Sequence, residues 1–341
     1  EAFGDCSKLK SVIMGTGLLS IGYNVFYNTN PTKVIWLTNT PPSGYNDASA
    51  SGVNYVANEQ YSFSNKTVYP FLSSMFEVDG VKYVPVSPSE RTCDAIDCMY
   101  DESSENINIS TNVSYNGVSM KVMNIHSYTF YDNDYIKDVK LNCDGKIGSN
   151  AFSGVTNMTT LEIGNSITEI EGNAFCDCSK LNSIVIPDAV TYLGRGAFRG
   201  CNNMTSVKMG NSIKTIEDHC FYDCSSLQTI EIPSADTDIE DYVFSGCGSI
   251  SRVTIADRQE ILNLGSNGSN PLFADCPLDE VYIGGNISYS TASNKGYSPF
   301  YRNTTLRSVT ITDKETEISE NEFYGCTNLK NVSLGNGIES I

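Results

Sequence analysis

The sequence is poor in basic residues, tryptophan and histidine. Its 341 residues include 22 Lys and Arg against 40 Asp and Glu, which gives a formal net charge of −18. Non-specific affinity for nucleic acids comes largely from Lys and Arg that neutralise phosphates. The excess of acids therefore argues against a nucleic-acid partner, and it also argues against docking on anionic membrane surfaces.

Long apolar segments are lacking too. No run approaches the roughly 20 apolar residues that a membrane-spanning helix needs, so we expect no membrane insertion of this chain. The chain starts with EAFGDCSKL, without an initiator methionine or a signal-like apolar region, and it stops with GNGIESI inside a repeat. We expect both ends to be cut within repeats of a longer protein.

Recognisable catalytic motifs are absent. The only histidines are His126 and His219, and neither is accompanied by a nucleophile in a strand, turn and helix arrangement. We predict that both are ordinary turn residues. No phosphate-binding loop or dinucleotide fingerprint is present. The sequence therefore predicts a protein that is not an enzyme and uses no cofactor.

What the sequence does contain is an internal repeat. Phenylalanines recur at intervals of 23 residues, and apolar residues follow each of them at 6, 9, 11, mostly 15, and 18 positions. The series comprises Phe152, Phe175, Phe198, Phe221 and Phe244, then Phe300 and Phe323, and separately Phe3 and Phe26. Self-similarity at a fixed period of this length is typical of solenoid proteins.

Each repeat predicts one coil of a solenoid. The alternating pair Ile184 and Ile186, closed by Pro187, indicates a short strand followed by a turn. The later apolar pair and the small residue before each Phe suit a bend or a short helical turn. Because a single coil cannot bury its apolar edge, we expect the coils to stack, with their strands in a parallel β-sheet on one face.

The repeats resemble those of a known family. Units such as AFCDCSKLNSIVIPDAVTYLGRG and AFRGCNNMTSVKMGNSIKTIEDH are similar to the 23-residue repeat of BspA-like bacterial surface proteins, the Treponema-type class of leucine-rich repeat. The resemblance covers about residues 120–341 and 1–37. It implies a right-handed leucine-rich-repeat solenoid on a secreted or cell-surface protein, and family members are described as adhesins for host matrix proteins or other bacteria.

The repeat is interrupted once. Between Phe26 and Phe130 no coil can be threaded, and TNTPPSGYNDASASG has the composition of a loop. We predict three parts. Residues 1–76 hold the last coils and the cap of a first array, residues 77–119 form a β-hairpin that opens a second array, and residues 120–341 are that second array.

Seven of the 12 cysteines occupy one place in the repeat, three residues after the Phe. They are Cys6, Cys178, Cys201, Cys224, Cys247, Cys276 and Cys326. We predict a column of buried thiols that pack as small hydrophobes and make weak S–H contacts with the backbone. Since Val155 takes the same place in its own unit, the column is not a metal site, and no metal ligand is predicted.

Other cysteines and acidic turns leave alternatives. Cys93 and Cys98 form either a disulfide, in an oxidising compartment, or two free thiols. Cys176 takes a place that Arg199 occupies in the next unit, so we predict that it faces solvent. The acidic run DTDIEDY lacks the spacing of a calcium loop and is interpreted as a solvated turn.

The strand positions that point away from the core form a candidate binding face of short hydroxyl side chains with scattered charge. It comprises Thr160, Glu162, Ser183, Ser206, Lys208, Thr229, Glu231, Arg252, Thr254 and Arg307. The predicted function is non-catalytic extracellular binding to a host matrix or cell-surface protein, or to another cell. Two alternatives remain: a glycan-binding module whose tyrosines in VSYNG, NISYSTASNKGYSPF and TPPSGYN stack on sugars, and a structural stalk.

Overall fold

The structure is a computed structural model. It describes residues 2–7, 9, 11–14, 18–21, 25–26, 29, 33–36, 53–56, 68–70, 75–87, 90–98, 104–233, 237–265, 271–289 and 298–341. The predicted loop TNTPPSGYNDASASG and the Tyr-rich segments TPPSGYN and, for its central part, NISYSTASNKGYSPF lie outside these residues. Within them the regular structure is β-sheet, and no α-helix occurs.

The first part of the chain forms a parallel sheet of four strands. These are β1 (Ser11–Met14), β2 (Lys33–Trp36), β3 (Val53–Val56) and β4 (Val68–Pro70), in that order. Val12, Met14, Val25 and Val34 form a small buried cluster beneath it. The spacing of 22 residues between the partners Val12 and Val34 shows that one repeat separates β1 from β2.

The next six strands lead into the long solenoid. They are β5 (Phe76–Val78), β6 (Val81–Ser87), β7 (Thr92–Cys98), β8 (Asn106–Ile109), β9 (Asn112–Tyr115) and β10 (Val118–Ile125). Strands β5, β6 and β7 pair antiparallel, and so do β9 and β10, so two hairpin units precede the coils. Strand β10 also pairs parallel with β7, which changes the pairing from antiparallel to the parallel pairing of the coils.

From β11 onward each coil contributes strands to two opposite faces. The longer strands are β11 (Asp138–Leu141), β13 (Thr160–Ile163), β15 (Ser183–Val185), β17 (Ser206–Lys208), β19 (Thr229–Ile232), β21 (Arg252–Ile255), β23 (Glu280–Ile283), β25 (Ser308–Ile311) and β26 (Asn331–Ser333). The shorter ones are β12 (Lys146–Ile147), β14 (Glu169–Ile170), β16 (Tyr192–Leu193), β18 (Thr215–Ile216), β20 (Asp238–Ile239), β22 (Leu262–Leu264) and β24 (Ile287–Ser288).

We call the face formed by β8 and the longer strands, the last of which is β26, the wide face. Its strands are parallel and in register. They are hydrogen-bonded in three groups: β8 with β11 and β13, β15 with β17, and β19 with β21, β23, β25 and β26. Side chains alternate between outside and core, as in Thr160–Ile163, because successive residues of a strand point to opposite sides. The predicted parallel sheet is confirmed here.

The opposite face carries a second sheet, which the sequence did not predict. The shorter strands pair parallel from β12 to β24 and continue through β10, β7, β6 and β5 into one sheet of 12 strands. We call the coil part of it the narrow sheet. Its residues lie where a bend or helical turn was expected. The in-register spacing of the coils lets Glu169–Ile170 pair with Tyr192–Leu193 of the next coil. This strand pairing forms in place of the expected turn.

The core lies between the two faces and is built around stacked phenylalanines. Consecutive rings from Phe130 to Phe323 have centroids 4.6 to 5.9 Å apart and are tilted by at most 14°. All of these rings except Phe323 are fully buried. Offset stacking of this kind adds to the free energy gained by removing apolar area from water. The stack fixes the rise and alignment of the coils.

The turns beside the phenylalanines use the left-handed backbone region. Asp177 has a φ of 59° and Gly200, at the same place in the next coil, has a φ of 72°. A Cβ on Gly200 would lie 2.2 Å from Oδ1 of Asp177. Asp223 and Gly246 repeat this arrangement. In both coil pairs the aspartate therefore fills the space that the glycine of the next coil leaves open.

Buried carboxylates stabilise the hairpins of residues 76–125. Asp94 is 4 % exposed, and it accepts hydrogen bonds from the main-chain N–H of Asn124 at 3.0 Å and contacts Nε2 of His126 at 2.8 Å. Asp97 is 1 % exposed and forms an ion pair of 2.9 Å with Lys82. His126 is thus part of a structural contact between β7 and the end of β10.

Candidate binding face

The structure places all ten residues of the predicted binding face on the outer side of the wide face. Nine of them are exposed, and Thr254 is half-buried. Arg307 precedes β25 by one residue and lies beside Asp279, which likewise precedes β23. The parallel register sets like positions next to each other, so that Ser183 pairs with Ser206 and Thr229 with Arg252. The residues therefore share one surface.

The charges on this face pair across neighbouring strands. Lys140 and Glu162 are 2.8 Å apart, Arg252 and Glu280 2.7 Å, and Arg307 and Asp279 3.2 Å. All six side chains are about half exposed or more, so each pair stabilises the fold only slightly. In each pair, however, the two opposite charges offset each other, which weakens the local electrostatic field of the face.

Val185 is an exposed apolar residue near the middle of the wide face. It lies in β15 beside Lys208 of β17, and its side chain is 59 % exposed. A single exposed apolar residue is normal at a protein surface. Its position between hydroxyl-bearing and charged neighbours is nonetheless suited to the centre of a protein contact.

Tyr282 is a residue of this face that the sequence reasoning missed. It lies in β23 beside Thr254 and Thr310, and its hydroxyl donates a hydrogen bond of 2.9 Å to Asp257. That hydrogen bond to a carboxylate is the largest of the effects that raise the pKa of Tyr282. Together with Arg252 and Glu280 these residues line a shallow depression. The strand pattern EVYI was the available signal, but two longer intervals between phenylalanines obscured it.

Six of the seven cysteines of the column are buried, and their thiols act as hydrogen-bond donors. Cys178 donates to the main-chain oxygen of Phe152 at 3.2 Å and Cys201 to that of Phe175 at 3.3 Å, each reaching back to the preceding coil. Cys224, Cys247, Cys276 and Cys326 repeat the contact. Burial raises the pKa of these six thiols. The seventh cysteine of the column, Cys6, is exposed, so the prediction of a buried thiol is wrong at this position.

Residues other than cysteine at this place also donate. The side-chain amide of Asn303 donates to the main-chain oxygens of Phe273 at 3.3 Å and Cys276 at 2.7 Å. The hydroxyl of Thr29 donates to the oxygen of Phe3 at 2.5 Å. Most residues at this position therefore supply a small donor, and the thiol is one way to do so, whereas Val155 fills the same place without one.

The prediction that Cys176 faces solvent is wrong. It is 9 % exposed, and its thiol lies 3.4 Å from Oδ2 of Asp177. Burial, followed by the charge of Asp177, raises its pKa to about 11. Ser153, at the same place in the preceding coil, is also buried, whereas the longer Arg199 extends into solvent over Tyr222. The size of the side chain decides exposure at this position.

Cys93 and Cys98 are both buried, and no disulfide joins them in the structure. Both lie in β7, five positions apart. An extended strand rises about 3.3 Å per residue, which puts their Cα atoms roughly 16 Å apart. A disulfide requires less than about 7 Å. Strand geometry therefore keeps the two thiols unbridged.

The second histidine, His219, is half-buried in a turn. Its Nδ1 is 2.5 Å from Oδ1 of Asp218, and its ring stacks on Tyr242 at 5.0 Å. Cys220, next to it in the chain, is fully buried with its pKa raised by burial. Across the residues that the structure describes, no group of three or more His, Cys, Asp and Glu could hold a metal ion. In the same residues no helix is long and apolar enough to cross a membrane.

Comparison with protein-family models identifies the repeats of this chain. The model of the BspA type leucine rich repeat region matches in six copies, over residues 1–49, 96–182, 145–278 and 268–341. No curated protein matches.

Solved structures with a similar fold include three bacterial proteins. A leucine rich cell surface protein from Faecalibacterium prausnitzii is 17 % identical, with a TM-score of 0.44, over 77 % of this chain and 95 % of that one. A leucine-rich repeat protein from Bacteroides ovatus is 20 % identical, with a TM-score of 0.40, over 78 % of each chain. The leucine rich repeat protein of T. pallidum is 14 % identical, with a TM-score of 0.40, over 75 % of this chain and 91 % of that one. The family matches cover most of the sequence, and the chain belongs to the BspA type leucine-rich-repeat family.

Proposed function

We propose that this chain is a non-catalytic binding protein of the cell surface or the extracellular space, and that it contacts a host matrix or cell-surface protein through its wide face. Proteins of its family are found at bacterial surfaces, as in the cell surface protein of Faecalibacterium prausnitzii. The observation that carries the proposal is the arrangement of the ten predicted residues on one exposed, in-register surface.

The dimensions of the wide face suit a protein partner. Its ten strands, about 4.8 Å apart, span roughly 43 Å. A typical protein interface uses roughly 20 to 30 residues on each side. Two outward side chains per strand supply that number on a surface held rigid by the buried core.

The chemistry of the wide face points the same way. Several of its charges, those of Glu162, Arg252 and Arg307, are paired with neighbouring side chains, so a partner need not neutralise a strong field there. Hydroxyl groups such as those of Ser206 and Thr229 offer short, orientable hydrogen bonds at a small loss of conformational entropy. Val185 provides an apolar contact at the centre.

Binding to a panel of immobilised matrix proteins, measured by biolayer interferometry beside a glycan array, tests this proposal. Lys208→Glu on the wide face has a matched control in Lys214→Glu, because both lysines are exposed and Lys214 lies next to the narrow sheet. We expect at least one matrix protein to bind, Lys208→Glu to weaken its affinity by about tenfold or more, and Lys214→Glu to leave it unchanged.

A second matched pair tests the apolar contact. Val185→Asp and Ile261→Asp introduce the same charge at β-branched residues with 59 % and 54 % exposure, and Ile261 lies beside the narrow sheet. Only Val185→Asp should weaken binding. If no matrix protein binds, or if the two substitutions have equal effects, the proposal is contradicted. Signals on the glycan array alone would favour a glycan-binding module, and silence on both would favour a stalk.

A further inference from the structure

Two glutamates occupy core positions in one coil. Glu315 lies 15 residues after Phe300, where other coils have Ile167, Val190 and Ile213. Glu322 lies directly before Phe323, where other coils have Ala151, Ala174, Ala197 and Cys220. Those apolar residues are all fully buried. We call Glu315 and Glu322 the acid pair, since the same coil loses two apolar core residues at once.

The acid pair is buried like the residues that it replaces. Glu315 is 1 % exposed and Glu322 is 2 % exposed. Oε2 of Glu315 and Oε1 of Glu322 are buried without a hydrogen-bond partner. The other oxygen of Glu322 accepts a bond of 2.9 Å from the main-chain N–H of Ser319. Burying an ionised carboxylate without a counter-ion costs so much that such groups normally bind a proton instead.

The charged groups around the acid pair are acidic. The charges of Glu322 and Glu317 raise the pKa of Glu315, and the charge of Glu317 raises the pKa of Glu322. Tyr289 also faces this region, and its hydroxyl donates a hydrogen bond of 2.8 Å to the main-chain oxygen of Glu320. Burial is the largest effect that raises the pKa of Tyr289, and the charges of Glu322, Glu320 and Glu317 raise it further. No basic side chain appears among the charges that act on the pair within the described residues. Main-chain hydrogen bonds at Ile287 and Ser319 favour the ionised forms of Glu315 and Glu322, but burial and the neighbouring charges outweigh them and oppose ionisation of either glutamate.

We infer that the acid pair is a proton-dependent latch for the coils of residues 300–341. While both carboxyls are protonated, this coil packs like its neighbours. When they ionise, two uncompensated charges lie in the core between Phe300 and Phe323, and the coils beyond residue 300 loosen. The device would let pH change the order of part of the wide face, including Ser308 and Thr310 of β25.

The direction of the pH dependence follows from the pKa shifts. Burial, then the charge of Glu322, raises the pKa of Glu315 from 4.5 to about 8, and burial raises that of Glu322 to about 7. The folded state thus binds protons that the unfolded state releases. Below about pH 4.5 both states are protonated and no penalty exists. The penalty grows as pH rises above about 4.5, where the unfolded state ionises, and it is complete once pH passes about 7 to 8, where the folded state ionises too.

Hydrogen exchange of the intact chain, read by mass spectrometry at about pH 5.5 and 8.5 and corrected for intrinsic rates, tests the latch. We expect protection of residues 300–341 to fall by at least about tenfold at the higher pH, because one pKa unit corresponds to a factor of ten. Protection of residues 150–233 should stay within about twofold. Equal protection of residues 300–341 at both pH values overturns the inference.

Two double variants identify the residues responsible. Glu315→Gln with Glu322→Gln keeps the shape but cannot ionise, and Glu315→Ile with Glu322→Ala restores the residue types of other coils; the second serves if the first fails to fold. Either should make the protection of residues 300–341 independent of pH. The control, Glu162→Gln with Glu280→Gln, removes exposed carboxylates and should leave the wild-type pH response. A wild-type response in both acid-pair variants overturns the inference.

Discussion

The thiol of Cys201 donates a hydrogen bond of 3.3 Å to the main-chain oxygen of Phe175, one coil earlier in the solenoid. That oxygen also accepts from the main-chain N–H of Cys178 at 3.4 Å. One cysteine therefore links two coils at the point where the chain turns. This contact repeats along the array, so the column stabilises the stacking of coils through donors as well as through apolar packing.

Replacing the donor tests this role. Cys201→Val keeps the size and apolar character of the side chain but removes the S–H, and we expect it to lower the free energy of unfolding by about 1 kcal/mol. Cys201→Ser keeps a donor and should cost less than this if the hydrogen bond dominates. Urea unfolding followed by circular dichroism gives both values. A valine variant as stable as the wild type would show that the thiol acts only as a small hydrophobe.

The thiols should differ widely in reactivity. Cys6 is exposed, whereas Cys176 is buried with its pKa raised to about 11, which leaves little thiolate near neutral pH. We expect alkylation of the native protein at about pH 8 to label Cys6 first and to spare Cys176 and Cys178. Peptide mass spectrometry after timed labelling measures this. Labelling of Cys176 at the rate of Cys6 would contradict the burial of its side chain.

The number of free thiols is a separate prediction. No disulfide joins any of the 12 cysteines, Cys93 and Cys98 included, in the structure. A thiol titration of protein purified without reductant and unfolded in guanidinium should therefore give 12 per chain. A count of 10 with an oxidised peptide that contains residues 93–98 would show that β7 is not extended as described.

The aspartate and glycine that face each other across coils should be coupled. Gly200→Ala places a Cβ in the left-handed region and 2.2 Å from Asp177, so we expect a loss of about 1 to 3 kcal/mol in the free energy of unfolding. In an Asp177→Ala background the loss should shrink, because only the backbone strain remains. Gly248→Ala is the control: no atom lies within 4 Å of its added Cβ. Full additivity would contradict a contact between the two positions.

The ion pairs of the wide face should matter little for stability. Arg252 and Glu280 are 58 % and 50 % exposed, so solvent screens their interaction. We expect Arg252→Ala to change the free energy of unfolding by no more than about 0.5 kcal/mol. Chemical denaturation measures this directly. A larger loss would mean that the pair helps to hold β21 and β23 together, and Arg252 would then be unsuitable for tests of binding.

Much of the fold could be predicted from the spacing of a few residue types. The 23-residue interval between phenylalanines required stacked coils, and the alternating pairs such as Ile184 and Ile186 required a strand in each. The outer side of those strands followed from alternation alone, which is why the ten residues of the predicted binding face lie on one surface. Tyr282 was missed because longer intervals between phenylalanines hide the period around it.

The sequence by itself determined the period, the core phenylalanines and the side on which polar residues lie, because these depend on spacing within one coil. Only the tertiary structure decided features that depend on the neighbouring coil. The pairing of Glu169–Ile170 with Tyr192–Leu193 created a second sheet, packing buried Cys176, and the extended β7 kept Cys93 and Cys98 apart. It also showed that Glu315 and Glu322, two residues of one coil, are buried like the apolar residues at the same places in other coils.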